Sequence, residues 1–396
     1  TPMWCYGAIK DTVNLLGDGL RRMGRWWAKV TEQDIEEVAD QWDLRLLEAA
    51  STKGFFEIDW TDDEQRAEVV DRLAREVLDR VEWIRRRVDE IPYTYRQMKG
   101  KFLKLCRDLS RVVAQNLEQD QQGRLTVAQK VAEDRMISLT DPQARHGRKS
   151  QSGTFNGFKL HLLGDAVSGV IGSLSVTPGN VHDSQPACRL VKRAKRLVDS
   201  IEEVLADQAY GGVRRGVRIR RQTGVRVLAP VQDGSSPDGE KFSKNDFTLD
   251  LDEPSARCPA GVKTTDIKWI QGSGPGKSPR AMWPKSECQD CPLAEHCQTS
   301  TSGRGRVVFH SKEEELRERR EAWETEQLQQ RYQRRGEGER LIHEMTRHGG
   351  RQARAWGLRN AELQAYLIAM RNNLALLAQQ LAQSSSPELQ RQTEAA

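Results

Sequence analysis

The feature that most constrains this chain is a change in the period of its apolar residues. Over residues 11–132 they recur at three- and four-residue spacing, as in Val69, Leu73, Val77, Val81 and Ile84, which predicts an all-helical block. Asp59-Trp60-Thr61-Asp62-Asp63 opens one of its long helices, with Thr61 or Asp62 as the cap before Glu64. Near Arg135 the texture changes. Residues 158–163 and 170–176 are β-prone runs separated by the turn residues 165–169, so a hairpin is expected. A helix over 183–198, a strand over 203–206, a helix running through 221 and a strand over 225–231 follow. That order indicates an α/β sheet with a hairpin at one side.

Residues 232–305 are rich in Gly, Ser and Pro and hold four of the seven cysteines, which reads as an insertion. Beyond it, 312–348 and 360–381 read as long helices and 384–396 as a loose polar tail. Leu363, Tyr366, Leu367, Met370, Leu374 and Leu377 form an apolar stripe on the last helix, expected to be core.

Charge decides little in bulk, because a net +5 is the difference between 62 basic and 57 acidic residues. Local groups say more: Arg145, Arg148 and Lys149; Lys192, Arg193, Lys195 and Arg196; Arg214, Arg215, Arg218, Arg220 and Arg221. Each is either a phosphate-binding patch or a solvated helix face. No run approaches the roughly 18 apolar residues that span a bilayer, and Thr1-Pro2-Met3-Trp4 has none of a signal peptide's basic start or apolar stretch. A cytoplasmic protein with no membrane partner is expected. The missing initiator Met suggests a fragment or a partly called reading frame.

Two acids stand out. Asp207 closes the strand in Val204-Leu205-Ala206-Asp207-Gln208-Ala209-Tyr210-Gly211, where it either faces a cleft or caps the next turn. Glu339 lies in a helix packed with basic residues, Tyr332-Gln333-Arg334-Arg335-Gly336-Glu337-Gly338-Glu339-Arg340, and by itself is an ordinary surface residue. Cys258, Cys288, Cys291 and Cys297 have spacing that suits tetrahedral Zn²⁺, with His296 as a substitute ligand and free thiols as the alternative. Cys5, Cys106 and Cys188 lack such spacing and read as packing residues.

The order of these motifs resembles that of DDE insertion-sequence transposases. The stretches that carry the resemblance are 1–20; Ser138-Leu139-Thr140-Asp141-Pro142 with Arg145; Gly157-Phe158-Lys159-Leu160-His161; Val176-Thr177-Pro178-Gly179-Asn180-Val181-His182-Asp183-Ser184; Ala206-Asp207 through Tyr210; and the Tyr332 to Glu339 helix. The resemblance implies a ribonuclease-H-like mixed sheet bearing an Asp, Asp, Glu triad that holds two divalent ions, Mg²⁺ or Mn²⁺. Asp207 matches the second acid and Glu339 the third, with Glu337 as runner-up. His161 and Asp183 fall within matching motifs, either near the site or as a structural histidine and a helix cap. The implied partners are DNA, as transposon ends and as target, and a second copy in a homodimer on DNA. Arg335, Arg340, Arg347, Arg351 and Arg354, along and beyond the Glu339 helix, are the expected phosphate contacts.

The strand ending in the first acid is expected before residue 1, which would make this polypeptide catalytically incomplete. The resulting layout is a remnant after that strand (1–16), a large helical insertion (17–134), the ribonuclease-H-like core (135–232), a Cys-rich insertion (233–305), carboxy-terminal helices (306–383) and a disordered tail (384–396). The alternatives are a nuclease of the same fold and a non-catalytic DNA-binding relic. A purely structural helical protein is disfavoured by the acidic and Thr-Pro-Gly-Asn motifs.

Overall fold

The computed structural model describes residues 2–5, 9–129, 132–148, 153–231, 241–271, 276–297 and 303–384. The expected polar tail at 385–396 lies outside them. The chain divides into two compact units, one formed by 1–186 with 337–396 and the other by 187–336.

The first unit begins with the strand Pro2–Trp4 and a helical block. Helices Thr12–Thr31, Ile35–Trp42, Asp63–Arg87 and Arg96–Asn116 each turn one apolar face inward. Leu16, Leu20, Leu73, Val77, Ile84, Phe102 and Leu109 are buried there. Trp27 meets the edges of Trp83 at 4.7 Å and Phe102 at 6.2 Å, and Trp42 meets Trp83 at 5.3 Å. Offset and edge-on aromatic packing of this kind adds to the value of the burial itself. Asp62 caps the long helix by accepting from the amides of Glu64 and Gln65. The helical pattern stops at Asn116 and not at 132: Leu117–Gln119 and Leu125–Val127 form a short antiparallel ladder. Asp120 folds the turn between them by accepting from the amides of Gln122 and Arg124.

The same unit holds an antiparallel sheet. Thr154–Gly164 pairs with Ile171–Pro178, giving the expected hairpin, and also with Arg145–Arg148 and Pro2–Trp4. The other side of Trp4 bonds to the chain at 351–353, through the Arg351 carbonyl and the Ala353 amide. Met3, Phe158, Leu160, Leu174 and Val176 pack with Leu341 and Met345 of the helix Gly336–Met345 and with Ala361, Ala365 and Ile368 of the helix Leu358–Ser384. Asn373 on this last helix exchanges two bonds of 2.9 Å with the backbone of Ile171, fixing it to the hairpin.

The stripe expected to be core is not. Leu363, Leu367, Met370, Leu374 and Leu377 each expose more than half their surface, and Tyr366 is also exposed. The sheet instead receives the small residues Ala361, Ala365 and Ala369, which let helix and strands approach closely.

In the second unit the strands Glu203–Leu205 and Arg226–Leu228 pair in parallel, joined by the helix Val213–Thr223. A helix also precedes them, but it runs only over Ala187–Ala194, because Pro186 disfavours helical backbone before it. Next come two three-stranded antiparallel sheets within 248–308. They carry a core of Phe247, Leu249, Ala256, Ala281, Trp283, Val307 and Phe309. The expected helix over 312–348 is broken into Glu313–Trp323, Glu326–Gln333 and Gly336–Met345. Thr325 starts the second piece, and the third opens on Gly336 and Gly338, poor helix residues. The strands thus form an α/β arrangement in which hairpin and parallel pair are separate sheets among the described residues.

Candidate active site

Asp207 follows a parallel strand by two residues, the end at which open α/β sheets place their ligands. Its Oδ1 accepts from the Ala209 amide at 3.0 Å, so it also caps the single turn Gln208–Tyr210. Cap and cleft-facing acid are therefore compatible readings of one side chain. The strand end is held from several directions. Ala206 donates its amide to the Leu228 carbonyl, and its own carbonyl accepts from the Tyr332 hydroxyl at 3.0 Å. Arg331, one residue earlier on the same helix, grips both carboxylate oxygens of Glu203 at 2.7 and 2.8 Å. A methyl group on Gly211 would stand 1.8 Å from the Pro230 carbonyl oxygen, which explains the glycine after Tyr210. The sequence singled out Tyr332 only as a spacing marker, and its bond to Ala206 gives it a positioning role no local pattern signalled.

Glu339 belongs to the other unit, in the first turn of the helix Gly336–Met345. Leu341 and Met345 of that helix are buried and Glu339 is exposed, so the acid is on the solvent side of a fixed element. Glu337, the runner-up, is tied to Arg340 at 2.7 Å. Arg340, Arg347, Arg351 and Arg354 are all exposed. Arg347 approaches Glu344 at 3.9 Å, and Arg335, in the unit of Asp207, sits 5.9 Å from the centre of the Tyr332 ring.

Three other motifs meet around the hairpin. Arg145, buried, donates to Asp134 at 2.6 Å, and Asn180 donates to the same carboxylate oxygen at 3.3 Å. Burial works to raise the Asp134 carboxyl, but Arg145, Arg111 and Asn180 outweigh it and hold it below the ordinary carboxylate range. A methyl on Gly179 would lie 2.6 Å from the Arg145 carbonyl, so the Thr-Pro-Gly-Asn turn requires its glycine to dock there. Lys159 pairs with Asp183 at 3.0 Å and donates to the Val181 carbonyl at 3.0 Å. Asp183 does not cap a helix at Ser184, since the helix begins at Ala187. His161 is buried and bonds Thr177 at 2.8 Å, a structural histidine. Asp141, also buried, accepts from the Gly357 amide at 3.0 Å and tethers the start of the last helix. Its neighbour Cys5 is pushed up to about 12 by burial and by that carboxylate, and burial pushes Cys106 up to about 11. Both thiols are inert packing groups at neutral pH.

In the second unit Cys258, Cys288, Cys291 and Cys297 all line one cavity of about 30 Å³, beside Phe247 and Trp283. Cys258 opens a turn closed by the Gly261 amide at 2.8 Å, and Cys288 Sγ accepts from the Gly305 amide at 3.2 Å. The thiols share this space without being drawn together as ligands: among the described residues no group of three or more His, Cys, Asp or Glu is arranged to hold a metal ion. Nor, among them, is any helix long and apolar enough to cross a membrane.

Nothing among curated proteins or solved structures matches the chain. Two family models do, each described as a transposase DDE domain. One covers residues 123–237, including Asp207, and the other residues 257–378, including Glu339 and the four clustered cysteines. Such domains act on DNA and generally use divalent metal ions such as Mg²⁺. With both halves of the motif order matched in sequence, the chain belongs to the DDE transposases.

Proposed function

We propose that this chain carries out DNA cleavage and strand transfer at the ends of an insertion sequence, on a ribonuclease-H-like core, with Asp207 and Glu339 as two of its acids. The observation that supports this most is the place of Asp207, just beyond the carboxyl end of a parallel strand whose last carbonyl is anchored by Tyr332. Asp207 and Glu339 would hold the divalent ions. Such ions stabilise the attacking and leaving oxygens of an in-line phosphodiester displacement. The exposed Arg340, Arg347, Arg351 and Arg354, with Arg335, would grip phosphates, and pairing of two transposon ends calls for two copies on DNA.

The test separates chemistry from folding. Asn caps as well as Asp, so Asp207→Asn keeps the bond to Ala209 while removing the charge a cation needs. In the transposase as its gene encodes it, Asp207→Asn and Glu339→Gln are expected to lower Mg²⁺- or Mn²⁺-dependent cleavage of end-bearing DNA by about a thousandfold or more, roughly the scale of losing an essential catalytic group. Binding of the same DNA should persist and weaken with salt. Cleavage retained by both variants would remove these residues from the site.

The four cysteines around one cavity, with Cys288-x-x-Cys291 among them, support a structural Zn²⁺ in the 187–336 unit. Its role would be to stabilise a small sheet module.

A further inference from the structure

The helix Leu358–Ser384 has two apolar faces, and only one has a neighbour in the fold. Ala361, Ala365, Ile368 and Asn372 are buried against the hairpin, at steps of four, three and four residues. Leu363, Leu367, Met370 and Leu374 repeat the same steps two residues later, which turns them by roughly 200° to the opposite side. The series continues through Leu377 and Leu381, so the alternation of four and three holds over six positions. Their exposures are 56, 54, 55, 57, 51 and 59%. Scattered surface leucines are ordinary, but a straight apolar seam at seven-residue period is the pattern by which two helices interlock side chains.

We propose that this seam is the interface with a second copy of the same chain, forming a dimer in solution without DNA. Three observations favour a second copy over another occupant. The stripe is straight and repeats along its length, so a two-fold axis brings it onto itself with knobs facing holes. The positions flanking the seam, Gln364, Tyr366, Arg371, Asn373, Ala378 and Gln380, carry a single charge. Helices that select a different partner do so through charges at these positions, and here two identical copies meet without a row of like charges. The area is also sufficient. Six half-exposed side chains with their flanks offer on the order of 600 Å² per copy, or about 1,200 Å² for the pair, the lower end of what stable specific interfaces bury. The inference is independent of the catalytic reading.

The experiment is sedimentation of the purified chain, free of DNA, across a concentration series. The expected result is a monomer–dimer equilibrium with a dissociation constant in roughly the micromolar range, weakened at least about tenfold by Leu367→Lys with Leu374→Lys. Both side chains already face solvent, so the helical circular dichroism signal should be unchanged. Met370 stands near the middle of the seam and faces its counterpart in either orientation, so Met370→Cys should yield an oxidant-dependent cross-linked dimer that the parent chain does not. A monomer at all concentrations up to about 100 µM, well above a micromolar constant, would overturn the proposal. So would a dimer indifferent to the double substitution, or one that forms only when DNA is added. In none of these cases is the transposase reading affected.

Discussion

The helical block of residues 12–116 and the sheet module of 248–308 solve the same problem with different means. In the first, tryptophans and phenylalanines interlock with rows of leucine and valine, and the burial is continuous from Val13 to Leu117. In the second, Phe247, Trp283 and Phe309 form a small core under short strands, with Cys258, Cys288 and Cys297 packed against it. A small module buries too little apolar surface to offset the entropy of ordering its chain, and such modules are commonly held by a metal or by disulfides. The contrast predicts that the block depends on side-chain volume and the module on its thiols.

The largest effect is expected in the block. Phe102 is fully buried and its ring meets Trp26 and Trp27 edge-on at 5.6 and 6.2 Å. Phe102→Ala should cost about 3–5 kcal/mol, the usual range for emptying such a site. Urea denaturation followed by tryptophan fluorescence measures it. A loss under about 1 kcal/mol, well below that range, would mean that the block is loosely packed and the comparison misplaced.

Next comes the module. If a metal is bound at about a hundred times its dissociation constant, chelation should remove about 3 kcal/mol from this unit and leave the helical block unchanged. Native mass spectrometry should find one zinc per chain, absent from Cys288→Ser. A chain that is metal-free as purified and melts identically with and without chelator would instead make the four thiols ordinary packing residues.

A pH titration sharpens the same contrast. Burial lowers the His310 imidazole below its ordinary 6.5, aided by Lys244 and Arg214 and opposed by Glu313. The unfolded chain then binds the proton more readily, so this contribution is complete above about pH 6.5 and is lost as pH falls toward the folded value. In the other unit the Asp134 carboxylate is held below its ordinary 3.8, so its contribution persists above that value and is lost only as pH falls through the lower folded one. On acidification the 187–336 unit should therefore weaken first, and His310→Gln should flatten its dependence near pH 6. Hydrogen exchange resolved by segment checks the order, and simultaneous weakening of both units would contradict it.

Local signals in the sequence carried some of this fold. The cap at Asp62, the helix after it and the 154–178 hairpin depend on neighbours within a few residues, so spacing and turn chemistry suffice to find them. The strand before Asp207 was legible for the same reason. The ladder at 117–127 was hidden because Leu117, Leu125 and Val127 also satisfy helical spacing. The last helix misled in a more instructive way: with apolar residues on both sides, periodicity gives the faces but not which one the sheet takes. Size pointed to the leucines, while close approach to the strands favoured alanine. The two short-stranded sheets of the cysteine module were read only as an insertion, since strands of two to six residues give little alternation to count. The Tyr332 bond to Ala206, across 126 residues, had no local trace at all.

The smallest expected effect is also the one that separates the two roles of a capping aspartate. Asp62 and Asp207 each accept backbone amides at the start of a helical turn, Asp62 from two residues and Asp207 from Ala209. Asp62 begins a helix of 25 residues inside the packed block, so Asp62→Ala should cost about 1 kcal/mol, the ordinary value of a cap. Asp207 begins a single three-residue turn, already held by Tyr332 above it and by Arg215 on the Ala209 carbonyl. Asp207→Asn should therefore change stability by less than about 0.5 kcal/mol, the range of substitutions that break no special feature. A residue kept as a carboxylate where an amide would cap equally well is retained for its charge. Paired denaturation curves for the two variants, beside the cleavage assay, decide the matter: if Asp207→Asn instead destabilises the unit by as much as Asp62→Ala does the block, the carboxylate is structural and its loss of cleavage would follow from folding.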